Sequence, residues 1–215
     1  MATVTGDVLG HSQVGVHVSI IGDVLFHPLS IDEECEELLK STFDLEMVPF
    51  SIGGSTLLGS LIRGNKNGIA VADIATEKDL DRLTSFGEVV IMESGVNAAG
   101  NLIACNNHGA VVGMTIPGPG CDLISEILGV PSARVRISGQ DTVGSALVAN
   151  DKGVLAHPDI SETEASVVSE ALGVPLMVGT VCFGSPYVGA GCITSNDSVL
   201  AGTGTTGPEL NRIED

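Results

Sequence analysis

Short apolar runs alternate with turns rich in Asn, Asp and Gly along the whole chain. The runs flanking Asn65-Lys-Asn-Gly68, Asn106-Asn-His-Gly109, Asn150-Asp-Lys-Gly153 and Ser195-Asn-Asp-Ser198 read as β-hairpins, because these turn residues tolerate positive φ. First strands are expected at stretches such as Ser60-Leu-Ile-Arg63 and Ser145-Ala-Leu-Val148. Second strands run back through Ile69-Ala-Val71, Ala110-Val-Val112, Val154-Leu-Ala156 and Val199-Leu-Ala201. A shorter hairpin turns at Gly22-Asp23 and returns through Val24-Leu-Phe26.

A helix is predicted after each hairpin. Ser30-x-x-Glu33, Ser161-x-x-Glu164 and Thr206-x-x-Glu209 have the form of capping boxes, with Thr76-x-x-Asp79 a weaker version. The remaining helix starts after Pro117-Gly-Pro-Gly120, since Pro is compatible with a first turn. Apolar residues then fall at helical spacing, as in Ile124, Ile127, Leu128 and Val168, Ala171, Leu172, and Gly129 and Gly173 stop two of the helices. Third strands follow at Leu45 to Ile52, Val89 to Glu93, Ala133 to Ile137 and Leu176 to Phe183.

Each third strand leads into the form Gly, four residues, Gly: Gly54 to Gly59, Gly95 to Gly100, Gly139 to Gly144 and Gly184 to Gly189, with Gly10 to Gly15 at the start of the chain. The second glycines are 44, 41, 44 and 45 residues apart, so the chain reads as five copies of one unit. A unit of that size cannot bury its own apolar face, and the five must share a core. The fifth unit lacks a third strand, whereas Thr3 to Leu9 has strand character and precedes the first Gly motif. The N-terminal strand is therefore expected to complete the fifth unit and close a five-bladed ββαβ ring, one α/β domain over residues 1–215 with pseudo-fivefold symmetry.

Charge narrows the partners. Nine Lys and Arg against 27 Asp and Glu give −18, too few cations to neutralise a nucleic-acid backbone. Aromatic residues make up 3% of the chain, which argues against a base-stacking platform. The acidity itself fits a salt-tolerant or very soluble protein. It is unevenly placed: the helical segments 31–40, 77–82, 119–128, 159–170 and 207–215 carry −13, and the hairpin tips sum to zero. The near-neutral tips and first-strand starts are the expected binding face, opposite an acidic rim. Five cysteines without C-x-x-C spacing fit a reducing cytosol, with no zinc site and no disulfide framework. Met1 to Gly10 has no basic n-region of a signal peptide, and no apolar run approaches the ~20 residues that span a bilayer.

Two constellations could carry chemistry. Gly202-x-Gly204-x-x-Gly207 matches a dinucleotide fingerprint but lacks the following strand with its acidic ribose partner, so it reads as a capped helix start. Cys105 and Cys192, with His108 and His157 nearby in the pattern, could form a nucleophilic site, but free Cys also behaves as a small buried hydrophobe. His27-Pro28 and His157-Pro158 recur at equivalent places and read as a repeated structural feature.

Phe183-Gly-Ser-Pro-Tyr-Val-Gly-Ala-Gly191, Thr205-Thr-Gly-Pro-Glu-Leu210 and Arg212-Ile-Glu-Asp215 resemble the end of the archaeal translation initiation factor 6 family, the ribosome anti-association factors. Ile52-Gly-Gly-Ser55, Val154-Leu-Ala-His-Pro158 and Leu172-Gly-Val-Pro175 are similar to the same family. The resemblance implies a pentein fold and a non-enzymatic, monomeric, cytoplasmic factor without cofactor. It implies binding at the intersubunit face of the large ribosomal subunit, through a ribosomal protein and near the sarcin–ricin loop, which blocks small-subunit joining and serves subunit maturation. Family contacts lie just after the second Gly of a unit and at the hairpin turn. Carried onto this chain, these are Asn101 after the third unit's glycine and Asn65 and Lys66 at the second unit's turn; Ser60, Ser145, Asn107, Asn150 and Lys152 are the further candidate contacts, at such places in the units. The alternative is a pentein enzyme acting on guanidino groups through a Cys nucleophile, an analogy of fold alone.

Overall fold

The computed structural model describes residues 2–93 and 97–214. The strands form five three-stranded sheets of one pattern: a first strand antiparallel to the second, and a third parallel to the second. In the first unit these are Ser19–Ile21, Val24–Pro28 and Glu46–Phe50, with Val24 opposite Glu46 and Pro28 opposite Phe50. In the fifth, Cys192–Thr194 and Ser198–Gly202 are joined by Ala2–Gly6 from the other end of the chain. Ala2 pairs with Ser198 and Gly6 with Gly202, so the N-terminal strand supplies the third strand of the last sheet.

The apolar clusters explain why the units do not stand alone: each joins consecutive units. Phe26 and Phe50 of the first pack with Leu58, Ile69 and Leu83 of the second. Val90 and Met92 pack with Ile103, Ile124 and Leu128 of the third. Val111 packs with Leu147, Val168 and Leu172 of the fourth, and Leu155 with Val181, Val188 and Val199 of the fifth. A last cluster joins Ile193 and Leu200 to Val14, Leu25, Leu39 and Phe43 of the first unit, so the contacts run in a circle.

The two glycines of the repeated motif do different jobs. The first lies in a tight hairpin turn: Ser138 and Gly139 have φ of 50° and 76° between bridged Ile137 and Gln140, and Leu9-Gly10 and Gly53-Gly54 repeat this. Two successive positive φ values are those of a type I′ turn, where Gly costs least. In the fifth unit the turn takes three residues, Cys182, Phe183 and Gly184, all with positive φ. Gly95 lies outside the described residues. The second glycine sits in a four-residue helix, Val14–His17, Leu58–Leu61, Ala99–Leu102, Val143–Ala146 or Val188–Gly191. Its φ is not positive; a methyl group there would strike the backbone of the preceding unit. Gly59 abuts the Gly15 carbonyl, Gly100 that of Gly59, Gly144 that of Gly100, Gly189 that of Gly144, and Gly15 that of Gly189. Close backbone approach, rather than turn geometry, requires the second glycine.

Several expectations need correction. Ser60–Arg63 and Ser145–Val148 are not strands throughout: the short helices take their first residues, and the strands begin at Ile62 and Leu147. The first long helix is Glu33–Thr42, capped by Asp32, whose Oδ1 accepts from Cys35 N at 2.8 Å, and not by Ser30. Thr76-x-x-Asp79 is a complete capping box, and Asp79 Oδ2 also accepts from Gly53 N at 2.9 Å. The third strand of the fourth unit is only Leu176–Val178, and Cys182 and Phe183 belong to the turn that follows.

Candidate functional site

The eight candidate contact residues separate into two sets. Ser60, Asn101 and Ser145 each follow a second glycine and lie in the ring of short helices. Asn65, Lys66, Asn107, Asn150 and Lys152 lie at the hairpin tips. A first strand of three residues, such as Ile62–Gly64, stands between the sets and spans roughly 10 Å. The tips and first-strand starts expected as one face are therefore opposite ends of the first strands.

At the tip end the Asn side chains bind the units to one another. Asn65 Nδ2 donates to Asn106 O (3.2 Å) and to Leu128 O at the end of the next unit's helix (3.0 Å). Asn106 Nδ2 repeats this with Asn150 O (3.0 Å) and Leu172 O (2.9 Å). Asn150 Nδ2 donates to Ser195 O (2.8 Å) and Thr194 Oγ1 (3.0 Å). Each Oδ1 accepts from two backbone N–H groups of its own turn, as Asn106 does from His108 and Gly109, both at 2.9 Å. Asn65 and Asn106 are buried. Asn107 is also tied inward: its N and Nδ2 donate to the Asp151 carboxylate at 2.8 and 2.7 Å. Lys152 pairs with Asp197 at 2.8 Å, and Lys66 is exposed. The sequence singles out Asn65 and Asn150 as contact residues, whereas their side chains bind neighbouring units together. Asn106, used as fully as the other two, was legible only as a turn residue. Asn106→Ala removes four hydrogen bonds at a buried site and is expected to cost about 3 kcal/mol in chemical denaturation.

The helix end is different. Ser60 is buried; Ser145 Oγ donates to Asn101 Oδ1 at 3.2 Å, and both residues are partly exposed. Around them stand exposed apolar side chains. Leu57 and Tyr187 immediately precede short helices, Phe183 lies in the fifth-unit turn, and Leu29, Ile74 and Met114 follow second strands away from the tips. Phe183 is 83% exposed. The loop carrying Ile74 abuts Gly53 of the same unit's motif, and Asn97 Nδ2 donates to Asp73 Oδ1 at 2.7 Å. Aromatic and Met side chains on a surface are what protein interfaces enrich.

The sulfur and glycine constellations have structural explanations. Cys105 Sγ is hydrogen-bonded to Gly64 O at 3.2 Å, and burial pushes its thiol up to about 11. Burial pushes Cys192 up to about 12. Nucleophilic thiols need the opposite shift. His157 is buried, and its Nδ1 accepts from Asp159 N at 3.1 Å. His27 is buried as well, with Nδ1 3.0 Å from Pro28 O. At Gly202-x-Gly204-x-x-Gly207 the helix start is capped by the Glu209 carboxylate. It accepts from Thr206 N (2.7 Å), Gly184 N (2.8 Å), Thr180 Oγ1 (2.7 Å) and Thr206 Oγ1 (2.8 Å). Burial alone would raise this carboxyl, but the four hydrogen bonds outweigh it and hold it at about 2. A carboxyl depressed in the folded state stabilises above its unfolded value of 4.5 and loses that contribution as pH falls toward 2. Glu209→Gln should lower stability by about 2 kcal/mol at pH 7 and flatten the acid loss between pH 4.5 and 2, read by denaturation at each pH.

The model of the eIF-6 family matches residues 3–215. The chain belongs to the eIF-6 family. It is 45% identical over 208 residues to translation initiation factor 6 of Natronomonas pharaonis, covering 96% of this chain and 94% of that protein. The same figures hold for translation initiation factor 6 of Halorubrum lacusprofundi. Identity to the factor of Picrophilus torridus is 35% over 212 residues, 97% of this chain and 96% of that one. The family places the chain among translation initiation factors. No helix among the described residues of this eIF-6 family chain is long and apolar enough to cross a membrane.

Proposed function

We propose that the protein is a single pentein domain that docks, as a monomer in the cytoplasm, on the intersubunit face of the large ribosomal subunit and sterically blocks joining of the small subunit. It acts in large-subunit biogenesis and in initiation, without catalysis or cofactor. Membership of the eIF-6 family carries this reading. A masking factor needs a rigid, complementary face rather than a cleft, and the circular packing of five units supports such rigidity.

We assign docking to the helix end. Asn101 and Ser145 offer polar contacts there, amid the exposed Leu57, Ile74, Met114, Phe183 and Tyr187. The tip end is the weaker candidate, because its Asn side chains already hold neighbouring units together. The acidic helical rim repels ribosomal RNA within a Debye length, so the main contact is with a basic ribosomal protein, the sarcin–ricin loop lying near it. The test is gradient sedimentation of separated subunits. Added protein should co-migrate with large subunits and deplete the joined-ribosome peak. Unchanged joining with a saturating excess of protein overturns the proposal.

A further inference from the structure

On the axis of the five first strands lies a cavity of about 40 Å³, lined by Arg63, Cys105, Val148, Cys192 and Thr194 among others. It opens toward the hairpin tips into a polar vestibule of about 230 Å³. Arg63 is the only charged residue among the described residues lining the inner cavity. The residue is partly exposed and lines the cavity, and desolvation by the surrounding protein is the main influence on its charge.

Arg63 stands in the first strand of the second unit and reaches back to the glycine ring. Its Nη2 donates to Gly100 O at 3.0 Å and Gly59 O at 3.4 Å. Its Nε is buried without an acceptor. Arg63 takes part in no ion pair among the described residues. The thiols beside it do not balance its charge, since burial keeps both Cys105 and Cys192 protonated at neutral pH. A guanidinium does not lose its proton in a protein, and a desolvated cation without a counter-charge is costly.

We propose that the axial cavity is a binding site for one small monovalent anion, chloride, held by the Arg63 guanidinium. The size fits: the cavity holds on the order of three waters. That suits a halide better than the larger sulfate or phosphate. The vestibule reinforces the choice. Asp23, Asp44, Asp151 and Asp197 line it, which disfavours multivalent anions more strongly than monovalent ones. Asp151 and Asp197 are themselves held by Asn107, Asn196 and Lys152, so they do not fold inward as partners of Arg63. The bound anion makes the centre of the ring neutral and fixes the guanidinium across two units.

Two measurements test the site. Crystals of the whole protein grown in sodium bromide are examined at the bromine edge. An anomalous peak in hydrogen-bonding contact with the Arg63 guanidinium is expected; a water without anomalous signal there overturns the proposal. In solution, chloride replaces gluconate at constant ionic strength. The thermal midpoint of the wild type should rise by roughly 3–6 °C at chloride ten times above half-saturation. Arg63→Gln should not respond, and an equal response from Arg63→Gln overturns the proposal. Should Arg63→Gln fail to fold, the bromide map of the wild type decides alone.

Discussion

Gly100→Ala is expected to destroy the folded protein, with a loss of more than about 4 kcal/mol in chemical denaturation. The added methyl would lie inside the Gly59 carbonyl and close to that of Ile62, and both are backbone. Ordinary overpacking costs about 1–3 kcal/mol, because side chains can shift. Here relief would require the short helices of two units to move apart, and each is also packed on its other neighbour. The same substitution at the first glycine of a motif should be far milder. Gly139→Ala meets nothing within 4 Å and suffers only its φ of 76°, a cost of about 1–2 kcal/mol. Equal effects at positions 100 and 139 would contradict the division of labour between the two glycines.

Deleting residues 1–9 should cost on the order of 5 kcal/mol or more. The deletion strips Ser198–Gly202 of its parallel partner and removes the bond from Thr203 N to Gly6 O at 3.0 Å. It also removes Val8, wholly buried, and Val4 from the cluster around Leu25, Leu39 and Leu200. A permutant opened at Gly54, with the ends of the chain joined, keeps every one of these contacts and should unfold cooperatively. Wild-type stability in the deletion would mean that the circle of contacts is not what holds the units together.

The repeat was legible because glycine is favoured at both motif positions, for two different physical reasons. The period of Gly15, Gly59, Gly100, Gly144 and Gly189 reports a ring of backbone contacts, and the turns report themselves through Asn and Gly. The N-terminal strand was legible from a missing partner at the far end of the chain. The short helices were not: four residues, as in Leu58–Leu61, are too few to display a helical period. Ser30-x-x-Glu33 has the form of a capping box, but the competing Asp32 provides the cap. The roles of Asn65, Asn106 and Asn150 were hidden because an Asn that closes a turn and one that binds the next unit have the same local sequence. Nor could spacing reveal that Ser60 and Asn65, five residues apart, face opposite ends of a strand.

That separation allows the docking end to be tested by two substitutions that share no surface. Asn101→Arg alters the ring of short helices, and Lys66→Glu alters an exposed tip. Glu33→Lys on the acidic rim serves as the control; Glu164 is unsuitable, because it caps its helix together with Ser161. Each protein, shown first to melt as the wild type does, is sedimented with large subunits at two salt concentrations. The account predicts that Asn101→Arg leaves the large-subunit fraction and no longer prevents joining, while Lys66→Glu and Glu33→Lys co-migrate as the wild type does. Loss of binding by Lys66→Glu with Asn101→Arg unaffected would contradict it and place the docking surface at the hairpin tips.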